Sequence, residues 1–140
     1  MEKRMKMSNA EINDAVNTLT SVINAMSKNG IGHSIELSYI IGRNLRILRN
    51  ENFDFNSEKE KLIRKYGTFQ TDEEGSTYYK VDKKDLQQYK AFEEEFVKLA
   101  NIEHEIVLYC ITPQKMQEMN LPFEIESVLW FLLDESELNL

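Results

Sequence analysis

Cysteine is almost absent from this sequence, because Cys110 is the only one among 140 residues. A single thiol forms neither an intrachain disulfide nor a multi-cysteine metal site, so the fold must hold without them. This cysteine usage is typical of a reducing compartment, and we therefore expect a cytoplasmic protein.

Long apolar runs and signal-peptide features are also missing. The apolar run at 128–133 falls far short of the roughly 20 residues that span a bilayer. The N-terminal residues 1–7 are basic, and polar residues follow where a signal peptide needs its apolar stretch. We therefore expect no membrane as a partner.

Basic residues are in short supply, since 17 Lys and Arg stand against 24 Asp and Glu, which gives a net charge of −7. Binding to nucleic-acid backbones depends on a surplus of basic side chains that release counterions from the phosphates. The charge balance therefore disfavours nucleic acid as a partner.

Helix caps and apolar stripes are the clearest features that are present. Ser8 and Glu11 form a capping box, which predicts the start of a helix, and Gly30 predicts its end. Apolar residues of this helix recur at spacings of three and four, which predicts a buried stripe. They are Ile12, Val16, Leu19, Ile23 and Met26.

Two further helices are predicted over 34–50 and 57–66, because apolar residues recur there at helical spacing. Ser57 and Glu60 form a second capping box at the start of the later segment. The polar stretch 50–56 interrupts the pattern, and the interruption is either a kink or a true loop.

Strand patterns occupy two regions of the second half of the chain. Residues 69–81 predict a small hairpin, since strand-forming side chains flank a turn with Gly75, and 103–111 predict a strand. Asp82 is predicted to cap the helix between them. The predicted inward stripe of that helix is Leu86, Tyr89, Phe92, Phe96 and Leu99.

The pattern as a whole predicts an α+β, mostly α fold: a helical hairpin or bundle with a small antiparallel β-sheet made from 69–81 and 103–111. Thr112 and Pro122 each predict the start of a short C-terminal helix. We expect a single domain over residues 1–140, with flexible segments at 1–7 and 135–140.

Candidate catalytic and metal-binding groups do not converge in this pattern. In an extended strand at about 3.3 Å per residue, His104 and Cys110 lie about 20 Å apart, too far to share a proton. His104 lies on the strand face opposite Glu103 and Glu105, and the acidic turn at Gly75 lacks the ligand spacing of a calcium loop. We expect no catalytic residue, no metal and no cofactor, and hence a protein that is not an enzyme.

Three arginines on the second helix are candidate binding residues. Arg43, Arg46 and Arg49 recur every three residues and so share one side of the helix, where they suit a phosphate or carboxylate. The alternative is a solvated basic face paired with nearby glutamates. We take Arg43 and Arg46 as partner-binding candidates.

The last apolar run suggests a second binding surface. Residues 128–133 are apolar on nearly every side, so packing against a single layer would turn Leu129 and Leu132 inward and leave Trp130 or Phe131 exposed. Aromatic anchors dominate protein interfaces, and Val128, Trp130 and Phe131 are therefore partner-binding candidates. The alternative is a fully enclosed C-terminal helix.

The order of several segments resembles a family of small proteins from tailed bacteriophages and prophages that is known only as a domain of unknown function. The segments that carry the resemblance are 37–45, 61–67 before the turn at 72–75, 89–96 and the helix at 128–133. These are helix caps and core stripes, so the resemblance implies a fold and brings no functional residue with it.

The resemblance, together with the aromatic surface, implies a non-enzymatic phage protein that binds another protein, such as a host defence factor, in the host cytoplasm. One alternative is a structural or assembly protein of the virion or tail, for which a second copy of the chain would be a partner. Another is an enzyme or nucleotide-binding protein that uses Arg43 and Arg46 with Tyr39 or Tyr66.

Overall fold

A computed structural model describes residues 2–28, 35–118, 120, 126 and 129–133. The elements given for these residues include four α-helices and two small antiparallel sheets. The architecture is α+β and mostly α, which confirms the predicted fold class. In chain order the described elements are β1 (Glu2–Ser8), α1 (Asn9–Lys28), α2 (Ile35–Tyr66), β2 (Thr68–Thr71), β3 (Thr77–Lys80), α3 (Leu86–Ala100), β4 (Glu103–Tyr109), α4 (Pro113–Glu118) and a 3-10 helix (Trp130–Leu132).

The predicted capping box at the start of α1 is confirmed. The Ser8 Oγ accepts a hydrogen bond from the Glu11 N–H at 3.1 Å, and the Glu11 Oε1 accepts one from the Ser8 N–H at 3.0 Å. Two donors that a helix start would leave unsatisfied thereby gain partners. Ile12 and Leu19 of the predicted stripe are completely buried, whereas Ile23 is exposed.

The prediction of a flexible segment at 1–7 is wrong for the described residues, because Glu2–Ser8 form strand β1 and pair antiparallel with β4. Met5 lies opposite Ile106, and Met7 lies opposite His104. Met5 and Met7 alternate with basic residues, which is the period of a strand with one buried face. The basic composition of the segment hid this alternation.

The predicted sheet of 69–81 with 103–111 is also wrong, because the two regions belong to separate sheets. Strand β4 pairs with β1, while β2 and β3 pair with each other. The hairpin itself is confirmed, and its turn uses Asp72, whose carboxylate accepts from the Glu74 and Ser76 N–H groups at 2.9 and 2.8 Å. Gly75 has φ +86°, the left-handed region that favours glycine.

Helix α2 runs without a break from Ile35 to Tyr66, so the interruption predicted at 50–56 and the cap predicted at Ser57 are both wrong. The buried positions Leu48, Asn52 and Phe55 continue the core-facing spacing of four and three through this polar stretch. Packing on that face decides the conformation, although the other side chains of the stretch are exposed and, apart from Phe53, polar.

The cap of α3 lies one turn later than predicted. Asp85, and not Asp82, is the N-cap, and its carboxylate accepts from the Gln88 N–H at 3.2 Å. Asp82 instead accepts from the Lys84 N–H in the preceding turn at 2.9 Å. Because the helix starts later, Leu86 lies at its first position and is 76% exposed, so its place in the predicted inward stripe is wrong.

The C-terminal region closes the core. Thr112 caps α4 as predicted, since its Oγ1 accepts from the Lys115 N–H at 3.2 Å. The Ile111 N–H donates to the Leu132 carbonyl at 2.8 Å, which ties the chain beyond β4 to the 3-10 helix. The start of the helix predicted at Pro122 and the tail at 135–140 lie outside the described residues, whereas the later part of that helix is a 3-10 helix at Trp130–Leu132 and not an α-helix.

The main core lies between α1, the first half of α2, β4 and the C-terminal segment. Burial of each large apolar side chain in such a core contributes about 1.5–3 kcal/mol. None of the described helices combines the length with the apolar composition that a membrane span requires. The largest completely buried apolar side chains are Ile12, Leu19, Leu37, Ile41, Leu48, Leu108, Ile111, Leu129 and Leu132.

Candidate functional site

An open groove of about 370 Å³ lies between β1, α1 and the 3-10 helix. We call it the Phe131 groove. Alternate residues of β1 point to the same side of the strand, so Met5 and Met7 reach the groove together. The full lining is Met5, Met7, Glu11, Asp14, Ala15, Thr18 and Phe131.

The apolar part of the Phe131 groove is the surface of the core. Met7 and Ala15 are buried members of the core cluster, while Met5 and Phe131 are partly buried and pack against it. A groove with such a base presents apolar surface that is held in place from behind. The two methionine side chains are flexible and polarizable, so they can adapt to a ligand of irregular shape.

The rim of the Phe131 groove carries negative charge. Glu11 is exposed and belongs to the capping box, which fixes its position at the start of α1. Asp14 lies one turn further along α1, is exposed, and makes no ion pair with any residue that the structure describes. Both carboxylates are therefore available to a cationic group beside the apolar surface.

The residues predicted for the C-terminal surface differ in their placement. Phe131 is half-buried and lines the Phe131 groove, and Leu129 and Leu132 face inward as predicted. Trp130 lies in the 3-10 helix, while its side chain and the whole of Val128 lie outside the described part of the chain. Sequence reasoning missed Met5 and Met7, which their alternation in β1 could have indicated.

Arg43 lies in a second groove, on α2, between two tyrosines. Its Nη2 donates a hydrogen bond to the hydroxyl oxygen of Tyr109 at 2.6 Å. Its guanidinium carbon lies 4.9 Å from the centroid of the Tyr109 ring and 5.7 Å from that of Tyr39, which is within the range of cation–π attraction. These contacts fix Arg43 at the wall of a cavity of about 430 Å³, lined by Ser38, Tyr39, Gly42, Arg43 and Arg46.

The arginines of α2 are not paired with glutamates among the described residues, contrary to the alternative of a paired basic face. Arg46 is exposed, and Arg49 makes a hydrogen bond of 3.5 Å to the Thr20 hydroxyl. Glu36, an acidic side chain in the first turn of the same helix, is paired with Lys115, and its hydrogen bond to the ammonium raises the pKa of Lys115 above its usual value. The positive charge of Arg43 and Arg46 is therefore available to an anion.

His104 and Cys110 have separate surroundings. The His104 Nε2 lies 2.9 Å from the Asn9 Oδ1, which accepts from it because the Asn9 Nδ2 donates to the Leu99 carbonyl at 2.8 Å. Cys110 is buried beside the core. The residues that the structure describes contain no cluster of three or more His, Cys, Asp or Glu side chains arranged to hold a metal ion.

The two grooves are thus two places where the described surface combines shape with charge that no described residue pairs. One is apolar with an acidic rim, and the other is aromatic and cationic. Comparison of the chain with protein-family models, curated proteins and solved structures gave no match.

Proposed function

We propose that the protein is a non-enzymatic binding protein that holds an apolar side chain of a partner protein in the Phe131 groove. The observation that carries the proposal is the junction of apolar surface from Met5, Met7 and Phe131 with the unpaired carboxylate of Asp14. An apolar anchor in a pocket with a polar rim is the usual composition of an energetically important interface centre.

The partner segment that fits this groove has an apolar side chain next to Lys or Arg. Glu11 and Asp14 attract such a basic flank, and the net charge of −7 favours the approach of a positively charged partner. Because the charged rim is exposed, the attraction weakens as salt is added. Binding should therefore be stronger at low ionic strength.

We propose a host protein, such as a component of a defence system, as the partner. Support comes from the resemblance of the chain to small phage proteins and from the accessible groove. The alternative is a virion or tail protein, in which the same groove contacts another structural protein or a second copy of the chain. Mass spectrometry of purified particles distinguishes the two, because a host modulator is absent from them and an assembly protein is present.

The test uses a charge reversal that leaves the core untouched. The tagged protein and its Asp14→Lys variant are used to recover partners from host cells, and the recovered proteins are quantified. Asp14 is exposed and unpaired in the described structure, so we expect the variant to fold and to recover the partner at least tenfold less well.

The matched control is Glu94→Lys, which reverses the same charge at an exposed position of α3 away from the groove. We expect it to recover the partner as the unchanged protein does. Phe131→Ala provides a second variant, which removes the apolar wall. Equal recovery by all four proteins would exclude the Phe131 groove as the binding surface.

A further inference from the structure

Gly42 lies two turns into α2 at an exposed position, where glycine is unfavourable. In a helix interior it costs about 1 kcal/mol relative to alanine. A Cβ placed at Gly42 would have no described atom within 4 Å, so packing against the described chain does not require a glycine at this position. With Ser38 one turn earlier, Gly42 forms a low ridge on the helix, which we call the Gly42 ridge.

A cavity lies on each side of the Gly42 ridge, and both include Ser38 and Gly42 in their linings. On one side, a cavity of about 200 Å³ between α1 and α2 is lined by the apolar side chains of Ile23, Met26 and Ile41, together with Ser27. On the other side lies the cationic cavity of Tyr39, Arg43 and Arg46. Since the ridge has almost no side chain, one ligand can occupy both cavities.

The cationic cavity has hydrogen-bond donors that the described protein does not use. Arg43 uses Nη2 for Tyr109, while its enclosed Nε has no acceptor. Arg46 adds a second guanidinium one turn away with no carboxylate beside it in the described structure. Guanidinium groups match carboxylate and phosphate geometry.

We propose that the Gly42 ridge binds a small amphiphilic anion: Arg43 and Arg46 hold its phosphate or carboxylate, and its alkyl chain crosses Gly42 into the cavity of Ile23, Met26 and Ile41. The charge of the arginines selects an anion in a chain that is acidic overall. The three apolar side chains of the second cavity favour an alkyl chain over a charged group. This site is separate from the Phe131 groove, with which it shares no lining residue.

The test is calorimetric titration of the full chain with octyl phosphate below its micelle concentration. Inorganic phosphate tests the anionic head group alone, and octyl glucoside tests the octyl chain with an uncharged head group. We expect octyl phosphate to bind at least tenfold more tightly than either, because it alone fills both cavities. Octanoate distinguishes the two head groups, and tighter binding of either amphiphile supports the shared chemistry.

Variants of α2 locate the site. Gly42→Leu adds a side chain on the ridge, where no described atom is in the way, so the variant should fold with a Tm no lower than that of the unchanged protein. It should weaken the binding of octyl phosphate at least tenfold. Inorganic phosphate binding should be unaffected by it. Arg46→Gln should weaken both phosphates. Asn56→Leu and Arg64→Gln place the same new side chains at exposed positions in the second half of α2 and should leave both affinities unchanged.

Three results would overturn the proposal. The first is equal affinity for octyl phosphate and inorganic phosphate, because the apolar cavity would then contribute nothing. The second is unchanged octyl phosphate binding in both Gly42→Leu and Arg46→Gln. The third is tighter binding of adenosine monophosphate than of octyl phosphate, which would assign the aromatic side of the ridge to a nucleotide base.

Discussion

At the scale of single residues, Asn44 is completely buried in α2 and bonds both backbone groups of Tyr109. Its Nδ2 donates to the Tyr109 carbonyl at 2.9 Å, and its Oδ1 accepts from the Tyr109 N–H at 2.7 Å. The side chain thus serves the end of β4 as a neighbouring strand would. It also holds the tyrosine that positions Arg43.

We predict that Asn44→Ala lowers the free energy of unfolding by about 2–4 kcal/mol. The substitution leaves one donor and one acceptor of Tyr109 without their partner, and each such loss costs about 1–3 kcal/mol. Urea denaturation followed by circular dichroism measures the change. The control is Asn50→Ala, at an exposed position of the same helix, which should shift stability by no more than about 0.5 kcal/mol. Equal effects of the two variants would contradict this role of Asn44.

The sequence contained a signal for Asn44 that its residue type obscured. Leu37, Ile41, Asn44 and Leu48 follow one another at spacings of four, three and four, which places Asn44 on the buried stripe of α2. Asparagine is more typical of turns and caps than of a helix interior. Its partner, Tyr109, lies 65 positions away, so only the tertiary structure explains why a buried amide is satisfied there.

At the scale of elements, α2 is helical for 32 residues because each half packs on a different helix. Its first half packs on α1, and its second half packs on α3, where the Phe55 and Phe96 rings lie 6.0 Å apart. The stretch 50–56 has low intrinsic helix propensity, but Asn52 and Phe55 anchor it on both sides. Propensity alone therefore misplaced the end of the helix.

Two serines with identical local patterns test this continuity. Ser8 caps α1, so Ser8→Ala should lower the free energy of unfolding by about 0.5–2 kcal/mol. Ser57 lies inside α2 and is exposed, so Ser57→Ala should leave stability unchanged or raise it by a few tenths, about 0.5 kcal/mol at most. Parallel urea titrations compare the two. A loss of about 1 kcal/mol in Ser57→Ala would mean that a helix begins at Ser57 after all.

Local signals account for what the sequence predicted at this scale. The caps at Ser8 and Thr112 and the turn at Gly75 each involve residues within a few positions, and the structure has all three. The pairing of β1 with β4 joins segments about a hundred residues apart, and neither segment carries a local signal for the other. The groove at Arg43 shows the same difference between local and distant signals. Arg43 was predicted from its spacing along one helix, whereas its partner Tyr109, which lies far along the chain, was not.

At the scale of the whole molecule, the two sheets differ in how much of the protein surrounds them. The main core cluster includes Met7 of β1 and Ile106 and Leu108 of β4, but no residue of 49–105 belongs to it among those described. The hairpin of β2 and β3 instead packs at the end of α2, where Arg64 lies 5.9 Å from the Tyr79 ring centroid. All of β3 is exposed, so few apolar contacts oppose its opening.

We predict that native-state hydrogen exchange separates the two sheets. The ladder amides of β4 should exchange only through global unfolding, at about 5–15 kcal/mol for a domain of this kind. The ladder amides of β2 and β3 should exchange through local opening at a free energy at least about 3 kcal/mol lower, because that opening exposes little apolar surface. Exchange followed by NMR over a range of low denaturant concentrations measures both.

Asn44→Ala provides the internal control for this experiment, since the two hydrogen bonds that it removes go to Tyr109 of β4 and none goes to the hairpin. It should accelerate exchange in β4 by the factor that its loss of global stability gives, and leave the hairpin amides as they are, because their opening does not involve Tyr109. Hairpin amides as slow as those of β4, or accelerated equally by Asn44→Ala, would show instead that the hairpin, α3 and the main core unfold together as one cooperative unit.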